Sequence, residues 1–315
     1  MSSRIILTGV SSFTGFWIAK SLANAGHLLI CPLPRPSDSY KDLKKKRLNA
    51  LTEDSIQIIY NSPYGSDQFM KLLSDGADLI CFHGSVVKDY NSRDFSATEA
   101  IFANLRGAEK VIASIKATGT TRVIWTSSVF EDAVSLDVPE DDCKPPWYRY
   151  AISKKFSGLI LQSLCNEKGI GFSRFVITNP FGPFEDPKIG NFLARALIEK
   201  KPIEIRTPYY VRDMIHIRHL ADAYLNLCQN LLSEKKVPEL RPSEYSGRLI
   251  DFAKLFVQEI GQRLGYNTEI SYAKSMVFDE PLSLINSVHV SSIIEPYQPD
   301  KEWDSLATFY TESIS

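Results

Sequence analysis

The stretch Ile5-Ile6-Leu7-Thr8-Gly9-Val10-Ser11-Ser12-Phe13-Thr14-Gly15 joins a short apolar run to a turn that contains two glycines. The run predicts a buried strand, and the pattern after the turn predicts a helix from about Thr14 to Asn24. A glycine-rich turn between strand and helix lets the backbone approach a pyrophosphate, which the helix N-terminus stabilises. Ser12 stands where a middle glycine is usual, so a plain strand–turn–helix unit remains an alternative at this point. The candidate cofactor-binding residues of this turn are Gly9, Ser11, Ser12, Phe13, Thr14 and Gly15.

Short apolar runs alternate with longer amphipathic segments through the first half of the chain. Further strands are expected at 28–31, 56–59, 79–82, 123–125 and 171–176, and helices at about 99–116 and 147–168. This alternation predicts an α/β fold, a Rossmann-type doubly wound parallel sheet with a smaller C-terminal substrate-binding region. We assign residues 1–178, with a contribution from 205–228, to an NADP-binding Rossmann domain. Residues 179–204 and 229–315 are assigned to the substrate-binding region.

The bulk composition is ordinary for a globular protein of 315 residues, with 44% hydrophobic and 23% charged residues. The net charge of −1 gives no reason to expect binding to nucleic acid or to an anionic membrane, and the basic run 44–47 is expected on a solvated helix face. No apolar run approaches the roughly 18 residues that span a bilayer. The five cysteines and five histidines are scattered, so we predict no metal site and a cytoplasmic protein with reduced cysteines.

The residues after the second strand bear on the choice of cofactor. An NAD-dependent enzyme usually ends this strand with an acidic residue that accepts hydrogen bonds from the ribose hydroxyls. Leu33 stands where that acid would fall, and Arg35 follows two residues later. An arginine there can pair with a 2′-phosphate, although an ordinary surface arginine is the alternative. The pattern favours NADP(H), with NAD as the alternative.

A tyrosine and a lysine four residues apart indicate a proton-transfer site. Tyr150 and Lys154 share one face of a predicted helix, and the lysine charge is expected to lower the tyrosine pKa from its usual value near 10. The tyrosine can then donate or accept a proton as hydride moves. A solvent-facing pair is the alternative. Upstream, the hydroxyls in Thr126-Ser127-Ser128 follow a strand and stand where ligands bind in open α/β sheets, although simple strand-end capping is equally compatible.

Over nearly its whole length the chain resembles the extended short-chain dehydrogenases/reductases, a family of nucleotide-sugar epimerases, dehydratases and 4-keto reductases. The resemblance rests on six segments in order: 8–15, Asn104-Leu105-Arg106-Gly107, Thr126-Ser127-Ser128-Val129-Phe130, Tyr150 with Lys154, Asn179-Pro180-Phe181-Gly182-Pro183, and Arg212-Asp213-Met214-Ile215-His216. In this family the active hydroxyl stands four residues before an aromatic residue. Phe130 takes the aromatic place, so the resemblance implies that Thr126 is catalytic, with Ser127 as the fallback.

The resemblance also implies binding residues and a quaternary structure. Arg212 is suited to a diphosphate because its guanidinium can form two parallel hydrogen bonds. The family commonly pairs subunits through the helix that carries Tyr150 and the segment 99–116, so a homodimer is expected. The implied cofactor-binding residues are Gly84, Ser85, Asn104, Pro180, Tyr150 and Lys154, and the implied substrate-binding residues are Lys88, Tyr90, Ser127, Ser128, Asn179 and Arg212.

The segment after Thr126 bears on the reaction. The dehydratases of the family carry an Asp-Glu pair directly after the catalytic threonine, whereas this chain has Ser127 and Ser128, so a 4,6-dehydratase is not expected. Because Arg35 favours NADPH, we predict a reductase of the 4-keto group of a nucleotide-linked deoxysugar. The alternatives are an NAD-dependent nucleotide-sugar epimerase, a reductase of a non-sugar carbonyl, and a non-catalytic sensor that binds NADP.

Overall fold

The computed structural model describes residues 2–134, 145–272 and 280–314. Four of the five cysteines lie in these ranges as buried free thiols, and Cys143 lies outside them. The helices are α1 (Phe13–Asn24), α2 (Asp42–Asn49), α3 (Asp67–Ser74), α4 (Ala97–Asn104), α5 (Ala108–Ala117), α6 (Pro146–Glu167), α7 (Ile189–Ile198), α8 (Ile217–Leu232), α9 (Leu249–Leu264) and α10 (Pro299–Ile314). The first seven strands are β1 (Arg4–Leu7), β2 (Leu28–Pro32), β3 (Ile56–Ile59), β4 (Leu79–Phe82), β5 (Arg122–Ser128), β6 (Gly171–Ile177) and β7 (Asn179–Phe181). The remaining strands are β8 (Ile203–Ile205), β9 (Val211–His216), β10 (Glu239–Leu240), β11 (Pro242–Ser243), β12 (Tyr245–Arg248), β13 (Ile270–Tyr272), β14 (Ser283–Leu284) and β15 (Val288–His289).

A seven-stranded sheet organises the first part of the chain. Its order is β10-β6-β5-β4-β1-β2-β3, and every neighbouring pair is parallel. The first six strands thus have the 3-2-1-4-5-6 order of a dinucleotide-binding sheet. The predicted doubly wound parallel sheet is confirmed.

The central strands have continuous apolar stretches because helices cover both faces of a parallel sheet. Every residue of β4 is buried, as are the last three residues of β1. One core cluster packs strand residues such as Ile80 and Trp125 against Val111 and Ile115 of α5 and Leu161 of α6. This packing fixes the carboxyl ends of β1, β4 and β5 next to one another.

The single helix expected at 99–116 is wrong, because two helices occupy this region. α4 ends at Asn104, and α5 begins at Ala108. Between them Gly107 adopts a left-handed φ of +64°, which a helix interior does not allow. The break leaves Asn104 at the C-terminus of α4.

Compact packing divides the chain into two units. The first comprises Met1–Ile177 and Tyr224–Leu240, and the second comprises Thr178–Ala223 and Arg241–Ser315. This division places residues 205–223 with the second unit and 229–240 with the first, unlike the division expected from sequence. Helix α8 contributes to both, because the boundary falls at Tyr224. The assignment of these units to cofactor and substrate stays a prediction.

The second unit has its own sheets and its own core. β9 pairs with β12 in antiparallel register and with β7 and β14 in parallel register, and two further small sheets pair β11 with β15 and β8 with β13. Its core packs helices α7, α9 and α10 around Phe181, Phe256 and Trp303. Within the three described ranges, no helix is both long enough and apolar enough to cross a bilayer.

Candidate active site

The glycine-rich turn leaves no room for side chains at its two glycines. Gly9 has a φ of +80°, and a Cβ there would lie 2.7 Å from the Cα of Gly84. A Cβ on Gly15 would lie 2.3 Å from the carbonyl oxygen of Gly9. Ser12 caps α1, because its hydroxyl accepts a hydrogen bond from the Gly15 N–H at 3.0 Å and donates one to the Gly9 carbonyl at 2.8 Å. This tight cradle, followed directly by a helix N-terminus, fits a dinucleotide pyrophosphate.

A buried histidine links this turn to the central strand. His83 follows β4, and its Nε2 lies 2.9 Å from the Thr14 hydroxyl while its Nδ1 lies 3.1 Å from the Thr126 hydroxyl. Burial, with a smaller contribution from the charge of Lys154, lowers the pKa of His83 to about 3. The ring is therefore neutral, donating from one nitrogen and accepting at the other. The sequence gives no signal for His83, because a lone histidine forms no spacing pattern.

The end of β2 carries no acid. Leu33 is buried, and the exposed Arg35 stacks its guanidinium on the Tyr40 ring, with 4.6 Å between the guanidinium carbon and the ring centroid. Stacking holds the planar group while leaving its edge free to accept a phosphate. The place predicted for a 2′-phosphate partner is therefore compatible with that role.

A second arginine, Arg47 of α2, contacts the glycine-rich turn between β1 and α1. The solvated face expected for residues 44–47 is wrong at this position, because Arg47 is fully buried whereas Lys44 to Lys46 are exposed. Its guanidinium lies 5.8 Å from the Phe13 ring centroid and donates a hydrogen bond of 3.4 Å to the Ser11 carbonyl. Arg47 therefore fixes the backbone of the turn from α2.

Lys154 is buried on α6 and reaches the ends of two strands. Its ammonium donates to the Thr126 carbonyl at 2.6 Å and to the Ser85 hydroxyl at 2.9 Å, and it lies 4.1 Å from the Trp125 ring centroid. Burial lowers the pKa of Lys154 to about 8, against the opposing effect of the Glu131 carboxylate. The structure thus brings Lys154 and Ser85, both predicted to bind cofactor, into direct contact.

Tyr150 lies one helical turn before Lys154, and its hydroxyl lies beside the Ser128 side chain. The structure differs from the expectation for its pKa, which is raised above the ordinary value and not lowered. Burial is the main cause, and the charge of Glu131 adds to it, while the Ser128 side chain opposes it. Three rings surround the tyrosine, at centroid distances of 5.2 Å (Tyr90), 6.2 Å (Phe95) and 6.4 Å (Phe130).

The three hydroxyls at the end of β5 have different partners. Thr126, the predicted catalytic residue, is buried, and its hydroxyl forms a hydrogen bond of 3.1 Å with Nδ1 of His83. Ser127 accepts a hydrogen bond of 3.0 Å from the guanidinium of Arg174. Ser128 lies beside the Tyr150 hydroxyl. The hydroxyl that the structure brings to the tyrosine is therefore that of Ser128, which the sequence analysis had placed among the substrate-binding residues.

The other predicted residues of the first unit occupy distinct places. Asn104 accepts a hydrogen bond of 3.1 Å from the Val86 N–H and donates one of 3.3 Å to the Ser157 hydroxyl, so it ties α4 to α6 and to the segment after β4. The Gly84 N–H donates to the Thr8 hydroxyl at 2.8 Å. Lys88 is exposed in a long segment before α4, away from any buried partner.

Three predicted residues belong to the second unit. Asn179 and Pro180 lie in β7, and the Asn179 side chain donates to the Asp213 carbonyl at 3.4 Å. Arg212 is buried, stacks on Tyr210 at 4.3 Å, and forms an ion pair of 2.9 Å with Glu280. Its other terminal nitrogen donates to backbone carbonyls. The roles of these residues toward cofactor and substrate stay predictions.

Comparison with known proteins gives one family match and several distant relatives. The model of the NAD dependent epimerase/dehydratase family matches residues 5–238. A dihydroflavonol 4-reductase from Zea mays is 24% identical over 246 residues, which cover 72% of this chain and 66% of the maize protein. The chain thus aligns with about two thirds of that relative.

Solved structures resemble this fold over its full length. A UDP-glucuronic acid 4-epimerase from Bacillus cereus, in complex with UDP-glucuronic acid and NAD, matches 98% of this chain and 99% of its own, with 17% identity and a TM-score of 0.73. A UDP-N-acetylglucosamine 4-epimerase from Methanobrevibacter ruminantium, in complex with UDP-N-acetylmuramic acid, matches 99% of both chains, with 17% identity and a TM-score of 0.73. These likenesses agree with the Rossmann-type fold.

Proposed function

This chain belongs to the NAD-dependent epimerase/dehydratase family of short-chain dehydrogenase/reductase-type enzymes, and from that premise we propose that it is a nucleotide-sugar 4-epimerase. The observation that carries the proposal is the placement of the Ser128 side chain beside the Tyr150 hydroxyl, with Lys154 one turn away on the same helix and bonded to the end of β5. A hydroxyl pair of this kind can bind a sugar hydroxyl and remove its proton. The two structural relatives are both 4-epimerases, which supports the same reaction.

The chemistry divides between the cofactor and the side chains. When bound, the nicotinamide supplies the acceptor and donor of hydride. Ser128 would orient the oxygen on the reacting carbon, and Tyr150 in its ionised form would take the hydroxyl proton as the carbon is oxidised. Tyr150 would return the proton to the same oxygen when the carbon is reduced on its opposite face. Lys154 holds positive charge beside this exchange and fixes Ser85 and the end of β5.

The expectation that the protein is not a 4,6-dehydratase also applies if Ser128, and not Thr126, is the catalytic hydroxyl. The two residues that follow it are Val129 and Phe130, neither of which can transfer a proton. Glu131 is the nearest carboxylate along the chain, and it is committed to Arg174 and to the Ser128 backbone. The segment after Ser128 therefore has no equivalent of the Asp-Glu pair with which the family's dehydratases eliminate water.

A second candidate, an NADPH-dependent ketone reductase, is favoured by two observations. The end of β2 carries no carboxylate, since Leu33 follows it, and the exposed Arg35 two residues later would suit a 2′-phosphate. The raised pKa of Tyr150 keeps its hydroxyl protonated, which suits donation to a ketone oxygen. The maize relative, a 4-reductase by name, agrees with this reading.

One experiment separates the two candidates. One portion of the purified protein is denatured to identify any retained nucleotide. A second, native portion is incubated with UDP-glucose, UDP-glucuronic acid or UDP-N-acetylglucosamine. An epimerase retains NAD and yields the 4-epimer, detected by proton NMR, without net change in nicotinamide absorbance. Consumption of NADPH with a nucleotide 4-keto sugar or a non-sugar ketone would establish the reductase instead. Tyr150→Phe serves as the inactive control in both assays.

A further inference from the structure

A buried ion pair lies directly behind the hydroxyl that contacts Tyr150. Glu131 is only 2% exposed, in the 3₁₀ turn Val129–Ala133 that follows β5. One of its carboxylate oxygens accepts a hydrogen bond of 3.1 Å from the Ser128 N–H, and the other accepts one of 3.0 Å from the guanidinium of Arg174. Nothing in the family motifs named above includes either residue.

Glu131 and Ser128 cap the turn reciprocally. The Ser128 hydroxyl accepts from the Phe130 N–H at 3.4 Å while the Glu131 carboxylate accepts from the Ser128 N–H, which forms a capping box. This arrangement fixes both the backbone and the side chain of Ser128. The hydroxyl is thereby held in the direction from which it meets Tyr150.

Arg174 completes the arrangement from the neighbouring strand. On β6, its guanidinium donates to the Ser127 hydroxyl at 3.0 Å as well as to Glu131, and its other terminal nitrogen lies 2.9 Å from Glu239. The register of the sheet pairs Arg174 with Trp125 and Val176 with Ser127. A single planar cation therefore ties the last residues of β5 to the strand beside it.

The carboxylate also acts through its charge. Glu131 raises the pKa of Tyr150, as does the neighbouring Tyr90 hydroxyl, and it raises the pKa of Lys154 against the larger lowering by burial. Among the described residues, the neutral His83 and Lys155, whose ammonium donates to the Val134 carbonyl, also lie near this centre. Glu131 is the carboxylate that influences both members of the tyrosine–lysine pair.

We propose that Glu131 and Arg174 are a positioning pair, which holds the Ser128 hydroxyl against Tyr150 and sets the electric field at the Tyr150–Lys154 centre. Neither residue touches the reacting atoms. The effect of this pair on turnover rests on the proposed function. The hydrogen bonds of the pair and its electric field do not, because they are properties of the folded chain.

The test uses two substitutions that separate charge from position. Glu131→Gln removes the charge, so the pKa of Lys154 should fall below its value of about 8, by about 0.5 pH units or more, and kcat should fall about tenfold. Glu131→Asp keeps the charge but shortens the reach to the Ser128 N–H. It should leave the pKa of Lys154 near that of the wild-type protein and still lower kcat about tenfold.

The pKa of Lys154 is read by NMR of protein labelled with ¹³C at lysine Cε, titrated with pH and assigned by loss of the signal in Lys154→Met. Glu239→Gln is the matched control, because it removes the other carboxylate on Arg174 without touching Ser128, and it should change neither quantity. Circular dichroism establishes that each variant is folded. If Glu131→Gln does not fold, Glu131→Asp alone decides the positioning role.

Two results would overturn the proposal. A folded Glu131→Gln protein with an unchanged Lys154 pKa would remove the electrostatic role, and an unchanged kcat in Glu131→Asp would remove the positioning role. The NMR titration needs no turnover. If no nucleotide sugar or ketone is converted by the wild-type protein, the proposed function fails while the titration still tests the pair.

Discussion

At the scale of single residues, the site depends on which hydroxyl at the end of β5 meets Tyr150. Thr126 lies two residues deeper in the strand, where its hydroxyl forms a hydrogen bond with His83. Ser128 is the last residue of the strand and lies beside the Tyr150 hydroxyl. A hydroxyl committed to a buried partner contributes to stability, whereas one at the strand end is placed to bind a ligand.

This difference predicts that one substitution acts mainly on catalysis and the other mainly on stability. Ser128→Ala should lower kcat about 100-fold, because it removes a group that binds the reacting oxygen, and should lower the free energy of unfolding by only about 1 kcal/mol, for the lost cap of the 3₁₀ turn. Thr126→Val should lower the free energy of unfolding by about 1–3 kcal/mol, because His83 loses a buried partner, while kcat falls about tenfold at most. Steady-state kinetics and urea denaturation measure the two effects. A Thr126→Val enzyme slower than Ser128→Ala would return the catalytic role to Thr126.

Arg35 carries the prediction about cofactor preference. If it pairs with a 2′-phosphate, Arg35→Ala should raise the KM for NADPH about 10- to 100-fold and leave the KM for NADH unchanged, since only NADPH carries that group. Kinetics with both cofactors measure the ratio. Lys44→Ala, an exposed cation on α2, is the control and should change neither KM. Equal KM values in the wild-type protein and Arg35→Ala would make Arg35 an ordinary surface residue.

The sequence singled out Tyr150 and Lys154 as a pair but did not indicate that Ser128 is the hydroxyl beside the tyrosine, for a physical reason. Tyr150 and Lys154 are related by helix geometry, so their spacing alone places them on one face. Counting four residues back from Phe130 assumes a fixed path beyond the strand. In this chain β5 continues to Ser128 and a 3₁₀ turn follows at once, so the count ends at a residue inside the sheet. Glu131 and Arg174 meet only through the pairing of β5 with β6, which spacing along the chain does not reveal.

At the scale of elements, the loop between β7 and α7 holds a buried acid. The Glu185 carboxylate accepts hydrogen bonds from the N–H groups of Gly182 and Gly190, and one of its oxygens has no hydrogen-bond partner within the described part of the chain. Burial raises the pKa of Glu185 from 4.5 to about 8. The acid is therefore protonated in the folded protein at neutral pH, whereas it is ionised in the unfolded chain.

The raised pKa predicts a loss of stability with rising pH. Because the folded state binds a proton that the unfolded state releases, this contribution is fully present below pH 4.5 and disappears as the pH rises to about 8, a change of roughly 5 kcal/mol. In Glu185→Gln the difference in unfolding free energy from the wild-type protein should therefore change steadily across this window. Urea denaturation at a series of pH values measures it. Glu199→Gln, at a more exposed site, should lack this slope, and a parallel wild-type and Glu185→Gln curve would contradict the assignment.

The elements of the first unit were predictable to a greater extent than those of the second. Buried parallel strands are continuous apolar runs, so β1 to β6 stand out in the sequence, and the tight turn at Gly9 marks the first of them. Strands of the second unit are as short as two residues and pair across long distances in the chain. Such strands depend on tertiary contacts and leave no periodic signal.

At the scale of the whole molecule, the order of the motifs identified the family, because six segments in sequence are far more specific than any one of them. The division of the chain into two units was harder to predict from the sequence than the family. Residues 205–223 pack with the second unit since β9 forms the centre of its sheet. A cytoplasmic location stays a prediction.

One surface of the first unit exposes apolar side chains on two neighbouring helices. Phe102 of α4 is 73% exposed, and on α6 Leu159 is 52% and Ile160 41% exposed. The helices α4 and α6 pack side by side, and we treat their exposed apolar residues as one candidate patch. Apolar patches on paired helices favour association, and a self-complementary patch gives a two-fold symmetric dimer.

We therefore predict a homodimer that depends on this patch. Leu159→Glu combined with Ile160→Lys should convert it to a monomer, because each subunit would bring charged side chains into an apolar interface. Sedimentation velocity of the wild-type and variant proteins at micromolar concentration measures the change in mass. Leu282→Glu, at a side chain that is equally exposed but lies in the second unit, is the control and should remain dimeric. A wild-type protein that sediments as a monomer, or a double variant that remains a dimer, would exclude this patch as the interface.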